Sequence, residues 1–492
     1  MRALGVDVGT TAVKAVLLDE EARIVAEAAH PHDLKSPRPG WAEEDPADWW
    51  RGTRAVLEAL AAQAGLDAVA AVAVSGMVPA LVLLDEAGAV LRPSIQQNDV
   101  RHGDEIAWYR ARFPEDELFR RTGATWNPQV IPPKLLWLQR HEPETFARIR
   151  RIAGSYEYVT WLLGGRGPEY LEANWALESG LWSVRERRWL VEYLEPLGLD
   201  AGVLRPVRTP VERVGTAAGA DLPLPPGTPL AAGSADHIAA ALAAGLLEEG
   251  EAVLKFGGAG DFLYVTPGFA PLPELFIDHH DVPGRYVING CMATSGSLVK
   301  WFRDRFAPGR AYADLDAEAA RVPAGSEGLV LLPYFLGEKT PIHDPQARGT
   351  VIGLTLHHGP AHVYRAILEG VAFAFRHHVE VLRAHGHAIE RFYVMDGGAR
   401  SPLWRKITAS VLGRPVHRLT AGEAGSAFGT AFLAGVVGGA WDFARIKEAV
   451  RVAGTTEPDP EWSRVYEERY GVYRETYRRL RDLYPKLGGQ HA

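Results

Sequence analysis

Ala3-Leu4-Gly5-Val6-Asp7-Val8-Gly9-Thr10-Thr11-Ala12-Val13-Lys14-Ala15-Val16-Leu17-Leu18 is the stretch from which the fold is read. Residues 3–8 and 12–18 are apolar runs of strand length, and Gly-Thr-Thr between them makes a turn, so the segment predicts a β-hairpin. Such a turn offers backbone N–H groups and hydroxyls to a small anion with no bulky side chain in the way. Asp7 sits at its mouth, where a carboxylate can hold Mg²⁺ directly or through water. A second segment, Ala252-Val-Leu-Lys-Phe-Gly-Gly-Ala-Gly-Asp-Phe-Leu-Tyr-Val-Thr266, repeats strand, small-residue turn and strand, in pattern though barely in identity. One Gly-rich hairpin is commonplace. Two of them, each heading one half of the chain, predict two similar halves facing one another.

Working outward, 46–64 predicts a helix with Asp45 as N-cap and Pro46 at its first position. Strands are expected over 68–75 and 81–85, and this alternation with helices indicates an α/β architecture. Residues 100–215 read as more helical. Four prolines within 222–229 make a stiff connection that cannot lie inside a helix. A strand (230–233) and a helix (235–247) follow. Beyond the second hairpin we expect helices at 294–306, 361–385, 401–412 (capped by Ser401) and 425–437, and strands at 328–333 and 391–395. The Arg, Glu and Tyr of 458–484 read as a solvated surface helix.

Composition narrows the function. The 492 residues carry 53 Lys+Arg against 61 Asp+Glu, a formal charge of −8, which argues against non-specific attraction to nucleic acid or anionic membranes. The longest apolar stretch, 238–247, is half the length of a membrane span, and no basic-then-apolar leader is visible, so a cytoplasmic protein is expected. The single cysteine, Cys291, cannot form an internal disulfide and is expected to be a buried small side chain. P-loop, dinucleotide-binding, zinc-protease and nucleophile-elbow motifs are absent from the sequence.

Three further segments carry chemistry. Gly233-Ser-Ala-Asp-His237 lies between strand and helix. Asp236 there is either a helix-start residue favoured by the dipole or a base that takes a proton from a hydroxyl attacking a phosphoryl group. His237 is either a capping histidine or a substrate contact. Leu332-Pro-Tyr-Phe-Leu-Gly-Glu-Lys-Thr-Pro-Ile-His-Asp-Pro-Gln-Ala-Arg-Gly349 is a long polar loop. In Asp396-Gly-Gly-Ala-Arg-Ser-Pro-Leu-Trp404 a Gly-Gly turn lets a flat ligand approach the backbone.

Together with Gln97-Asn-Asp-Val-Arg101 and Pro133-Lys-Leu-Leu-Trp137, these motifs, in this order, resemble those of the FGGY carbohydrate kinases along essentially the whole chain, the xylulokinase branch most. The resemblance implies two actin-like (ribonuclease H-like) α/β domains around a central nucleotide and sugar cleft. Residues 1–247 would carry the sugar site, first phosphate loop and catalytic Asp, and 248–492 the second phosphate loop and adenosine site. It implies ATP and Mg²⁺, and transfer of the γ-phosphate to a primary hydroxyl of a small sugar, a pentulose such as xylulose first. Ribulose, erythritol or glycerol kinases, or a non-catalytic sugar- and ATP-binding regulator, are the alternatives. Partners are then small molecules, with a homodimer as one assembly open to the chain. Position by position, Asp236 corresponds to the base and Asp7 to the metal residue. Gly9, Thr10, Thr11 and Lys14 correspond to one phosphate site, Gly257, Gly258, Ala259 and Gly260 to the other, and Gly397, Gly398 and Ala399 to the adenosine contact.

Two departures stand out. The second phosphate loop usually reads Gly-Thr-Ser-Gly; here it is Gly257-Gly-Ala-Gly260, with both hydroxyls gone. Xylulokinases place Gln-Met-His against the sugar, where this chain has Met77-Val78-Pro79. The lost imidazole should change which sugars are accepted. Met77, Val78, Pro79, Asp99, Asp236 and His237 are the expected substrate contacts, with Asn98, Glu172, Asn174 and Trp175 as further candidates for the cleft.

Overall fold

The computed structural model describes residues 1–218, 221–420 and 425–487. Two seven-stranded sheets, each with its own apolar core, form two lobes. In the first, strands run in the order Arg213–Thr216, Pro229–Ala231, Val69–Gly76, Arg2–Val8, Ala12–Leu18 and Ile24–Pro31, with Ser234–Ala235 paired to Val69–Gly76. The opening hairpin forms as expected, with Val8 opposite Val13 and Asp7 opposite Lys14. Register then places the chemistry. Arg2–Val8 and Val69–Gly76 run parallel with Asp7 beside Ser75, and Ser234–Ala235 joins in parallel with Ser234 beside Ser75. Asp7, the 77–79 turn and Asp236 therefore emerge together at the carboxyl ends of three neighbouring strands, where α/β sheets bind ligands.

The second sheet runs Phe276–His279, Tyr286–Met292, Gly260–Thr266, Glu251–Phe256, Arg391–Met395, Val416–Leu419 and Val452–Thr456. Glu251–Phe256 and Arg391–Met395 are parallel neighbours with Lys255 beside Met395. The turn at 257–260 and the Gly-Gly turn after Asp396 consequently leave the sheet side by side.

Helix Gly425–Gly438 belongs by sequence to the second half yet is buried in the first lobe's core. Glycines permit the approach. A Cβ on Gly5 would lie 2.2 Å from Ala431 N, and one on Gly429 would lie 1.8 Å from Ala239 O.

Caps follow the sequence reading: Asp45 accepts from Ala47 N and Ser401 from Trp404 N. The tail differs. Helix Pro460–Leu480 is not a solvated surface helix: Tyr466, Tyr470 and Tyr473 are buried in the second core. Their spacing of four and three residues builds one apolar face, and Arg365 donates to Tyr466 Oη at 2.9 Å beneath it.

Candidate active site

Between the lobes lies a cavity of about 270 Å³, lined by Thr10, Met77, Val78, Asp236 and His237 from one side and by Lys255, Ala259, Asp261, Asp278 and Lys339 from the other. That size is near the lower end of ligand sites, about 300–1,000 Å³, and suits a small molecule. A second cavity of about 840 Å³ is lined by Gly257, Gly258, Gly397, Gly398, Tyr312 and Trp404. Loop 257–260 separates the two, with Gly257 and Gly258 on one and Ala259 on the other.

Asp7 is 4% exposed and joins the lining of neither cavity. Ser75 donates to its Oδ1 at 2.8 Å and Ser426 to its Oδ2 at 2.7 Å. Burial first, then the carboxylate of Asp236, push its pKa up to about 6, against the two serine hydrogen bonds. A buried hard-oxygen group raised by a neighbouring carboxylate is an environment that a dication relieves, so the donor set fits Mg²⁺.

Asp236 is the first residue of helix Asp236–Ala243, and its side chain, 36% exposed, lines the cavity. The backbone N–H of His237 donates to its Oδ1 at 2.7 Å. His237 itself reaches Asp278 Oδ2, 3.0 Å from Nε2. Across the cavity Lys255 pairs with Asp261 at 2.9 Å. Burial favours neutral forms of both, but their mutual attraction outweighs it, holding Lys255 above and Asp261 below the usual ranges.

The loop that lost its hydroxyls is pinned by its carbonyls. Gly257 O accepts from Gly296 N at 2.7 Å, and Gly258 O accepts from Ser295 N, Ser297 N and Ser297 Oγ at 2.9, 3.1 and 2.8 Å. Those donors open helix Gly296–Phe306, so the helix start fixes the loop. Asp396, at the head of the Gly-Gly turn, has φ 70° and ψ −177°, a region that costs a non-glycine residue about 1–3 kcal/mol and clusters at ligand sites.

Several expected contacts stand elsewhere. Asp99 is not at the cavity: it is fully buried, bound by Arg101 at 2.6 Å and by Ala42 N at 2.7 Å. Pro79 is buried behind Met77 and Val78, and Ala399 lies under its turn at 2% exposure, facing neither cavity. Gly9, Thr11 and Gly260 flank the lining without joining it, and Lys14 is exposed, opposite Asp7 in the hairpin. Asn98 is exposed, whereas Glu172 and Trp175 are buried on Tyr156 Oη and Ala80 O. Cys291 is half-buried in the cavity wall rather than buried in the core. Glu178, Lys255, Asp278 and Lys339 were missed. Lys255 has a local signal, one charged residue inside the apolar run Ala252-Val-Leu-Lys-Phe256, whereas Lys339 in its polar loop and Asp278 beside His279 have none.

Against known proteins, two family models match in tandem. They are the N-terminal domain of the FGGY family of carbohydrate kinases over residues 2–243 and its C-terminal domain over 265–437. Xylulose kinase of Escherichia coli is 31% identical over 98% of this chain and 99% of its own. That of Klebsiella pneumoniae is 31% identical over 88% and 89%. The crystal structure of xylulose kinase from Rhodospirillum rubrum superposes with a TM-score of 0.91 at 43% identity, over 98% of this chain and all of that one. With both domains matched in tandem and relatives this similar along nearly the whole length, the chain belongs to the FGGY family of carbohydrate kinases.

Proposed function

We propose that this carbohydrate kinase transfers the γ-phosphoryl group of MgATP to the primary hydroxyl of a pentulose such as xylulose. The observation that carries the reading is the placement of Asp236, which faces a small cavity with the first-lobe turn at Thr10 and the second-lobe loop at Ala259 on its walls. A sugar hydroxyl there hydrogen-bonds to Asp236, which aims it and accepts its proton late in a loose transition state. Asp7 would hold the Mg²⁺, which when bound would neutralise charge on the phosphates. Backbone groups of 9–11 and 257–260 orient the triphosphate, and the adenosine lies in the larger cavity against Gly397 and Gly398. Closure of the lobes excludes water, which would otherwise hydrolyse ATP.

A second reading, another ketose or a polyol, is favoured by one observation: Met77 and Val78 present apolar atoms to the cavity, where a polar contact would select a sugar hydroxyl. ADP release with Mg²⁺ across pentuloses, hexuloses, tetritols, pentitols and glycerol separates the two. Highest kcat/KM on a pentulose supports the first reading, and highest kcat/KM on glycerol or a tetritol overturns it.

A further inference from the structure

We propose that His237 is a positioning residue for Asp236, and that its ion pair with Asp278 ties the base to the opposite lobe. Among the described residues, the Asp236 carboxylate accepts hydrogen bonds from His237 alone: from its backbone N at 2.7 Å, with its Nδ1 3.4 Å from the same oxygen. The other ring nitrogen, Nε2, lies 3.0 Å from Asp278 Oδ2. His237 stands in the first turn of a first-lobe helix, and Asp278 on the edge strand of the second sheet. One imidazole therefore spans from the base to the lobe that carries the nucleotide loop. Asn174 and the His279 backbone also cross here, Nδ2 to O at 3.1 Å and N to Oδ1 at 2.6 Å. That amide pair fixes the lobes' register but does not touch the base.

Both ring nitrogens face carboxylate oxygens, an arrangement that favours the doubly protonated, cationic ring. Acidic groups lie around it: Asp236 on its own helix, Glu178 on helix Ala173–Glu178 with Oε1 4.0 Å away, Asp278 on its strand, and Asp261 and Asp281 further out, with Lys255 and Lys339 on the same cavity. Glu178 is itself held well above its usual range by burial and Asp278. Burial alone would pull the imidazole down, but Asp278, then Asp236 and Glu178, hold it well above its usual range. The imidazole thus keeps its charge through neutral pH, and the pair is lost as pH rises through that elevated value. The neighbouring 77–79 wall brings no polar side chain to the base, which leaves its aim to His237.

The inference rests on the kinase reading, and one of its tests needs no sugar. His237→Gln, Asp278→Asn and the double variant are compared with wild type, using thermal unfolding to verify folding. Each single variant is expected to lower kcat about tenfold or more with KM for ATP within about twofold, and the double to be no worse than the weaker single. Asp278→Asn should move the alkaline limb of the kcat profile to lower pH. In sugar-free enzyme, imidazole ¹⁵N NMR should show both His237 nitrogens protonated at about pH 7.5 in wild type and one in Asp278→Asn. Losses that multiply in the double variant, or a neutral His237 in wild type at that pH, overturn the proposal. Wild type that turns over no sugar sinks the kinase reading and leaves the NMR result to decide this one.

Discussion

Replacing Asp7 with Asn should stabilise the protein while abolishing its catalysis. The folded carboxyl has its pKa raised from 3.8 to about 6. At about 1.4 kcal/mol per unit, the ionised form costs the native state about 3 kcal/mol. Because the folded value lies above the unfolded one, the native state binds the proton more tightly between the two. The penalty is full above about pH 6, shrinks as pH falls through that value, and is gone below about 4. Asn keeps the shape: Oδ1 can still accept from Ser75, and the Ser426 hydroxyl can rotate to accept from Nδ2. Urea unfolding in EDTA should therefore show Asp7→Asn more stable by about 3 kcal/mol near pH 7.5 and about 1.5 kcal/mol at pH 5, with Mg²⁺-dependent ADP release lost at every pH. A variant no more stable than wild type at pH 7.5, or an advantage that stays constant on acidification, would refute the argument. The trade is the familiar one in which a strained functional group opposes stability.

Other perturbations test other parts of the site. Asp236→Asn should lower sugar-dependent ADP formation about 10²–10⁴-fold while isothermal titration shows unchanged ATP affinity. Gly398→Ala would place a Cβ 2.6 Å from Trp404 and 2.7 Å from Phe256, so it should raise KM for ATP at least about fivefold and leave KM for the sugar alone. Gly429→Ala would put a Cβ 1.8 Å from Ala239 O, on the helix that begins with Asp236. We expect a loss of about 1–3 kcal/mol by urea unfolding, accompanied by lower kcat because the base moves with its helix.

What the sequence disclosed was local. The hairpin at 9–11, the Ser401 cap and the strand Arg391–Met395 depend on turn chemistry and residue alternation within a few positions. The pairing of Asp7 with Ser75 was not legible, since parallel register depends on strands far apart in the chain. Asp99 looked available because nothing in Gln97-Asn-Asp-Val-Arg101 shows that Arg101, stacked 3.6 Å over Trp41, folds back onto it. Cys291, Asp278 and Lys339 face the cavity only because one lobe is set against the other. The tyrosines of the last helix had a readable period, hidden by the Arg and Glu residues between them.

Helix Gly425–Gly438 bears on how the molecule is made. As the polypeptide leaves the ribosome, the sheet begun at Arg2 stays bare on one face until nearly nine-tenths of the chain has been synthesised, since Ala427 and Ala431 are what seal it over Gly5. An N-terminal fragment ending near residue 247 would expose that face to solvent and aggregate, unless a peptide spanning 425–438 were supplied in trans.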